Sequence, residues 1–468
     1  MSGTPPFDAA VDGDRALHEL AKAVTGGGAD QFDAFVLART GEYTRFADGR
    51  IHQPQDVTEV QVMVRAVVDG HAARASASSL AGLDAAVSTA ARMARGIAAA
   101  APNPGHTTVA TPDTGSADDT GSAVLFDDGT AAFDAAARAA LVAEASTTAD
   151  AARGSVAGMF GRAVNQLVVA TSAGVARATS ATEASGAFTF SVAEGTAHFA
   201  NLGRAVHRLG LSEALRAGAA QAVAGRGRGE LEPGEYDVVL GPEATAELLK
   251  FLPGFGFSGE LAAAGVGVSA RCAGQQLASH LVTVADDALA DVGLPIGFDI
   301  EGVPKQRVDL LRAGVVGSPV TDLATGAQLG LGSTGHAHIA REEPPATQAA
   351  NLVMSAGGAT EAELIAGVGR GVYIQRFWYT RMVDRNASTI TGVTRDACFE
   401  IIDGALGRPL TGMRFTQSVL RLLSRVDAVA STRRTLPLMN VWNGSSTAPA
   451  IRAAGFRLGS APMIGASR

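Results

Sequence analysis

The sequence predicts an α+β protein: N-terminal α/β units are followed by a β-rich C-terminal domain with a curved or closed, mainly antiparallel sheet. Helical and alternating strand patterns fill the first part of the chain, a stretch rich in Pro and Gly interrupts it, and short glycine-dense strands follow residue 234. A period near 3.6 indicates a helix and a period of 2 a strand. Many short strands with turn residues favour a curved or closed sheet.

The first unit, residues 1–105, opens with a predicted helix. Leu17, Leu20, Ala21 and Val24 are spaced as i, i+3, i+4 and i+7, which places them on one helical face. Three glycines at 26–28 end this helix, because glycine adopts the left-handed C-terminal conformation at little cost.

A strand hairpin and a second helix complete this unit. Residues 32–38 are predicted as a buried strand, and residues 60–68 alternate apolar and polar side chains up to Asp69-Gly70, a strong hairpin signal. Residues 71–75 form the return strand, and residues 80–100 form an alanine-rich helix.

Residues 106–124 are predicted to be a linker, because they contain Pro112, several aspartates and many small residues but few large apolar ones. The middle α+β domain, residues 125–228, follows. It is expected to contain a helix over 131–153, short strands with glycine turns, and a helix that Ser212 caps and that ends near Gly225.

The third unit, residues 234–468, begins with a strand over 235–240. Its clearest other strands are predicted at 282–284, 372–374 and 398–402. The dense glycines between them indicate turns.

Composition limits the function. The 468 residues suit several domains, and the net charge of −8 argues against a nucleic-acid partner. Cys272 and Cys398 are too few for a disulfide framework and are expected to be small buried apolar residues. The first residues have no signal-peptide pattern, and no stretch approaches the roughly 20 apolar residues of a membrane span. We therefore expect a cytoplasmic protein with no membrane partner.

The sequence contains no recognisable catalytic constellation. His18-Glu19 lacks the second histidine of a His-Glu-x-x-His zinc motif, and residues 256–259 have the wrong spacing for a Gly-x-Ser-x-Gly nucleophile elbow. His336 and His338 are the one tight histidine pair. On a strand both imidazoles would share a face and could bind a metal. No third ligand is visible nearby, so a polar strand edge after the glycine turn is the favoured interpretation.

Several stretches resemble the TldD/TldE (PmbA) metallopeptidase family. They are Thr44–Gln53 followed by the strand to Asp69-Gly70, Gly234–Pro242, Gly332–Ala337, Glu363–Ile374, Gly404–Pro409 and Arg414–Ser418. The resemblance implies a cytoplasmic protease, built from TldD-like and TldE-like subunits, that acts on small or unfolded peptides.

TldD-type subunits carry a His-Glu-x-x-x-His zinc motif on the helix after the strand that ends in Gly-Pro-like residues. A gap-free match places its histidines at Lys250 and Phe255 and its glutamate at Phe251. A lysine repels Zn²⁺ and phenylalanine has no lone pair to donate, so no metal or catalytic residue is assigned here. The resemblance is therefore to a TldE-like subunit, without a cofactor of its own, whose TldD-like partner supplies the zinc.

Two other functions stay open: a peptide-binding or scaffold protein without proteolysis, and a self-sufficient hydrolase with a cryptic site near His336 and His338. A further expectation concerns Phe377, Trp378 and Tyr379, which lie between arginines and are interpreted as exposed. Aromatic and arginine side chains are enriched in protein interfaces. The run is therefore a candidate contact with the zinc-bearing partner, although an ordinary strand with one buried face fits it too.

Overall fold

The structure is a computed structural model of the chain. It describes residues 12–26, 28–101, 103, 105–114, 125–338, 346–438 and 444–459.

The described part of the first unit has two α-helices and three strands, as predicted. They are α1 (Gly13–Gly26), β1 (Gln31–Ala47), β2 (Arg50–Val68), β3 (His71–Ala77) and α2 (Leu83–Ala100). Leu20 and Val24 of α1 are buried. Asp69 and Gly70 form the hairpin turn with positive φ angles of 47° and 72°, which is why a glycine suits the second position.

The middle unit contains longer strands than the sequence suggested. Its elements are α3 (Asp128–Ala131), α4 (Ala135–Ala151), β4 (Ser155–Thr171), β5 (Ala176–Val192), β6 (Gly195–Gly203) and α5 (Leu211–Ala224). The expectation of short strands is wrong here, because β4 and β5 run 17 residues each and each pairs along its length with a neighbouring strand.

Two helix starts also differ from expectation. The Asp134 carboxylate accepts a hydrogen bond from Ala137 N, so α4 begins at 135 rather than 131. Gly210, with φ 64°, precedes α5 as its N-cap, and Ser212 instead donates to Glu144. The predicted end of α5 beside Gly225 is confirmed.

One antiparallel sheet joins strands from both units in the order β3-β2-β1-β4-β5-β6. At its centre Leu37 of β1 lies opposite Leu167 of β4. Helices α1 and α2 cover an apolar cluster at the β2–β1–β4 part of the sheet, whereas α4 and α5 cover a second cluster over β4–β6. The first two units therefore share a single sheet.

Part of the predicted linker is packed rather than exposed. Val109 and Ala110 are buried, and Thr107 N donates to Gly70 O at 2.9 Å. Residues 115–124 of this linker lie outside the described residues.

The C-terminal unit is β-rich with short helices. Its elements are β7 (Gly234–Leu240), α6 (Pro242–Leu249), α7 (Gly259–Ala263), α8 (Val268–Cys272), β8 (Val284–Asp286), β9 (Val308–Arg312), β10 (Val315–Val316), α9 (Leu323–Leu329), β11 (Ala337–His338), β12 (Ala346–Thr347), β13 (Asn351–Met354), α10 (Glu361–Ala366), β14 (Arg370–Asp384), β15 (Thr389–Ile402), β16 (Ala405–Pro409), β17 (Arg414–Ser418), α11 (Val419–Leu423), β18 (Val426–Pro437) and β19 (Ser445–Leu458).

Five of these strands close a ring, β7-β14-β15-β17-β19, in which β19 pairs again with β7. The pairs are antiparallel except β14 with β7. Phe377, Phe415 and Phe456 pack together in the core, with ring centroids 4.5 to 5.8 Å apart. The prediction of a curved or closed, mainly antiparallel sheet is confirmed, and the sheet is closed.

The described residues contain no helix that is both long and apolar enough to cross a membrane.

Candidate functional site

Helix α6 follows β7 directly, at the position where the family resemblance places a metal-binding helix. Pro242 starts α6, and its fixed φ suits a first helical turn where no amide hydrogen is needed. Gly241 precedes it as the N-cap in an extended conformation. A helix thus follows the strand as the motif requires, but it ends at Leu249, so positions 250, 251 and 255 lie beyond it and not on it.

The side chains at the motif positions do not fit zinc. Lys250 lies at the C-terminal end of α6, and its Nζ forms an ion pair with Glu247 Oε1 at 2.5 Å. Phe255 is fully buried and stacks on Phe251 with ring centroids 6.5 Å apart. An ammonium and two phenyl rings provide no zinc ligand.

Other metal-ligand clusters are also absent from the part of the chain that the structure describes. No group of three or more His, Cys, Asp or Glu side chains there is arranged to hold a metal ion.

The first turn of α6 contains a buried carboxylate that sequence reasoning missed. Glu243 is 1% exposed. Its Oε2 lies 2.7 Å from His198 Nδ1, and its Oε1 accepts from Ala200 N at 3.0 Å and from Arg434 Nη1 at 3.2 Å. An acidic residue directly after a helix-starting proline was the available signal. These bonds tie α6 to β6 and β18.

A second, partly buried carboxylate, Glu361, lies close to this network. Tyr373 Oη donates to Glu361 Oε1 at 3.1 Å, and burial raises the pKa of Glu361. Burial also raises the pKa of Tyr373, so its hydroxyl stays protonated as the donor. Both groups are engaged with each other at the junction of α10 and β14.

His336 is part of a buried polar cluster. Its Nδ1 lies 2.8 Å from Thr334 O, and its Nε2 lies 3.0 Å from Asp286 Oδ1. Asp286 also accepts from Asn351 N at 2.9 Å. Burial opposes ionisation of Asp286, but His336, Lys305 and this backbone donor outweigh it and hold the pKa of the carboxyl well below its usual range. The His336 imidazole is thus enclosed between Thr334 and Asp286.

His338 has different surroundings from His336. Strand β11 spans only Ala337 and His338, so His336 precedes it. His338 lies in the wall of a cavity between the N-terminal sheet and the C-terminal unit, whereas His336 is completely buried beside Asp286.

Cys398 is buried within β15, and burial raises the pKa of its thiol to about 12. A thiol with so high a pKa is a poor nucleophile at neutral pH. Cys272 is partly buried.

The aromatic run in β14 divides between the core and the surface. Phe377 is 4% exposed and lies in the core, so the expectation that it is exposed is wrong. Trp378 and Tyr379 are 42% and 69% exposed. Alternation along the strand turns Phe377 inwards and Trp378 outwards. The positive φ of 57° at Tyr379 accompanies a register shift that keeps the next ring outside as well.

Arginines accompany the two exposed rings. The guanidinium of Arg395 lies 4.3 Å from the ring centroid of Trp378, and that of Arg381 lies 5.4 Å from the ring centroid of Tyr379. This arginine–aromatic surface combines apolar area with positive charge.

Family models match more than half of the chain. The model of the PmbA/TldA metallopeptidase C-terminal domain matches residues 233–460, and that of PmbA/TldA metallopeptidase domain 1 matches residues 32–94. The chain therefore belongs to the TldD/TldE (PmbA) metallopeptidase family.

Individual curated relatives share low sequence identity with this chain and match less than half of it. A metalloprotease of Methanothermobacter thermautotrophicus is 28% identical over 206 residues, which is 43% of this chain and 44% of that protein. A metalloprotease TldD homolog of Haemophilus influenzae is 26% identical over 204 residues, 42% of this chain and 41% of that protein. The chain thus matches less than half the length of these curated relatives.

A solved structure matches over a longer span. The crystal structure of TldE from Thermococcus kodakarensis superposes with a TM-score of 0.82 and 18% identity, over 95% of this chain and all of that one. At this identity the likeness establishes the fold.

Proposed function

We propose that this chain is the TldE-like, non-zinc subunit of a cytoplasmic heteromeric metallopeptidase. In this role it provides chamber wall and substrate path, while a TldD-like partner provides the zinc and the general base for peptide cleavage. The observation that carries the proposal is that the side chains of Lys250, Phe251 and Phe255, just after α6, cannot bind zinc. Lys250 is paired with Glu247 and Phe255 is fully buried, at positions where the resemblance to TldD-type chains implies zinc ligands.

The contacts around α6 support a structural role for this helix. The carboxylate of Glu243 binds His198, Ala200 N and Arg434, so its oxygens are engaged and it is a poor general base. Thr380 of β14 donates to Glu247, the residue paired with Lys250. The helix at this position in TldD-type chains holds a catalytic group. In this chain its side chains bond to residues of β6, β14 and β18 instead.

The arginine–aromatic surface around Trp378 and Tyr379 supports assembly with a partner. Large exposed rings with neighbouring arginines are typical of the centres of protein interfaces, and the net charge of −8 means that a basic surface here is local. We place part of the contact with the TldD-like subunit on this surface.

The test is reconstitution with a zinc-bearing TldD-like chain from the same genome. Peptide cleavage is expected near background for either chain alone and clearly above it for the mixture. A mixture in which the partner's motif glutamate is changed to glutamine is the matched control and is expected to be inactive. If this chain forms a stable homo-oligomer that cleaves peptides unaided, the subunit role is wrong. Peptide binding without cleavage in every mixture would instead support a scaffold.

A further inference from the structure

A cavity of about 110 Å³ lies where the N-terminal sheet meets the C-terminal unit. Asn165 of β4 and Glu183 of β5 form one side, and the segment from Leu294 to Lys305 forms the other. Most of the wall is apolar and comprises Leu37, Leu167, Leu294, Ile296, Phe298 and Ile300. An apolar cavity with few polar groups is the usual form of a small-molecule site.

Two cationic side chains in this wall have N–H groups that donate no hydrogen bond to any of the described residues. Arg204 donates from Nη1 to Thr182 O at 2.9 Å and from Nη2 to Pro295 O at 2.5 Å, but its buried Nε has no hydrogen-bond partner. Burial lowers the pKa of this guanidinium to about 10, because the attraction of the Glu183 carboxylate only partly offsets the cost of burying the positive charge. An unsatisfied buried donor on a charged group is costly.

Lys305 is the second cation. It is 7% exposed, and within the described residues its ammonium forms no ion pair and no hydrogen bond. Buried lysines are otherwise almost always paired. The Lys305 charge contributes to the low pKa of Asp286, and it offsets part of the rise that burial causes in the pKa of Asp299.

The carboxylates of the wall are already satisfied by the protein. Glu183 accepts two hydrogen bonds from Arg39, each at 2.8 Å. Asp299 accepts from the backbone amides of Glu301, Val303 and Ala337 at 2.9 to 3.0 Å. The cavity therefore has spare donors but few spare acceptors, a pattern that favours a ligand with acceptor oxygens.

From this imbalance we infer that the cavity binds a small aliphatic carboxylate, with its oxygens towards Arg204 and Lys305 and its alkyl group against the leucine and isoleucine side chains. Charge-assisted hydrogen bonds are about twice as strong as neutral ones. A cavity of 150 Å³ accommodates benzene, so 110 Å³ suits a molecule of about four carbons. The inference is independent of the proposed subunit role, because the site lies within one chain.

Isobutyrate is the probe, and its neutral isostere isobutyramide is the matched ligand control. Titration calorimetry on the isolated full chain is expected to show saturable isobutyrate binding with a dissociation constant on the order of 1 mM. The amide is expected to bind at least about tenfold more weakly, since it forms no charge-assisted pair.

Lys305→Gln removes one cation and leaves a polar side chain that is one atom shorter. It is expected to weaken isobutyrate binding about tenfold or more, whereas Lys22→Gln on helix α1 is the matched lysine control and is expected to bind like the parent. If Lys305→Gln does not fold, Ala181→Val replaces it. This change narrows the cavity while both cations stay, and it is expected to weaken acid and amide alike.

Three results would each overturn the inference. They are equal affinity for acid and amide, unchanged affinity in Lys305→Gln, and no saturable heat at ligand concentrations well above 1 mM. The last result would mean that the cavity takes up water only.

Discussion

Arg65 of the N-terminal sheet forms an ion pair with Glu301 of the C-terminal unit, with Nη1 and Oε1 2.6 Å apart and both side chains at most 6% exposed. Arg65 also binds Asp33 of β1, and Glu301 Oε2 accepts from Leu323 N at the start of α9. One buried guanidinium thus connects the two halves of the molecule.

Removing the charge of Glu301 should destabilise the fold strongly. In Glu301→Gln, Arg65 keeps only the single carboxylate of Asp33, and breaking a buried pair from one side typically costs about 3 kcal/mol. Urea unfolding at pH 7 measures the change. Glu19→Gln, which breaks the exposed Arg15–Glu19 pair, is the control and should leave the free energy of unfolding unchanged within error. Equal effects of the two variants would contradict this reading of the buried pair.

Stability should fall as the pH rises from about 4 to about 7. Burial, and then the neighbouring Glu301 carboxylate, raise the pKa of Asp299 to about 7, whereas an aspartate in the unfolded chain titrates near 3.9. Between these values the folded protein holds a proton that the unfolded chain has lost, so this group lowers the free energy of unfolding as pH increases. Its slope is at most about 1.4 kcal/mol per pH unit.

Urea unfolding at pH 5, 6, 7 and 8 tests this dependence. Asp299→Asn should flatten the slope between pH 5 and 7, while Asp291→Asn, at an exposed carboxylate, should keep the parental slope. A parental stability that rises steadily over this range and an unaltered profile in Asp299→Asn would refute the assignment.

The isolated chain should contain no stoichiometric zinc. Lys250, Phe251 and Phe255 occupy the motif positions, and Lys250 is paired with Glu247. Elemental analysis of freshly purified protein should give far less than one zinc per chain, with a TldD-like chain purified in parallel as the positive control. About one zinc per chain here would show that ligands were missed.

Changing Trp378 should weaken assembly with the zinc-bearing partner. Loss of the ring in Trp378→Ala removes an exposed aromatic anchor beside Arg395 and should cost ~2 kcal/mol of binding free energy, or roughly a 30-fold higher dissociation constant. Phe126→Ala is the matched control, because Phe126 is also 42% exposed. Sedimentation or calorimetry of the mixed subunits measures both variants. Binding that is equally strong in Trp378→Ala and the parent would move the interface elsewhere.

Local patterns in the sequence determined several elements. The apolar spacing of Leu17 to Val24 predicted α1, and alternation up to Asp69-Gly70 predicted the β2–β3 hairpin. Glycines marked the ends of α1 and α5. These features depend on neighbours within a few residues, so periodicity and turn chemistry suffice to find them. The identities of the amino acids at 250, 251 and 255, where the family resemblance places the zinc motif, likewise come from the sequence alone.

Tertiary structure decided which residues meet. Pairing of β1 with β4 joined the first two units in one sheet, and closure of the ring through β19 and β7 turned Phe377 inwards and left Trp378 outside. Arg204 and Lys305 are 101 positions apart in the sequence, and both line one cavity. No local period predicts such meetings, because strand partners and buried charges are fixed by contacts between distant segments. The sequence by itself determined helix α1, the β2–β3 hairpin and the glycine helix ends. The packing of distant strands decided the ion pair, the cavity and the exposed aromatic surface.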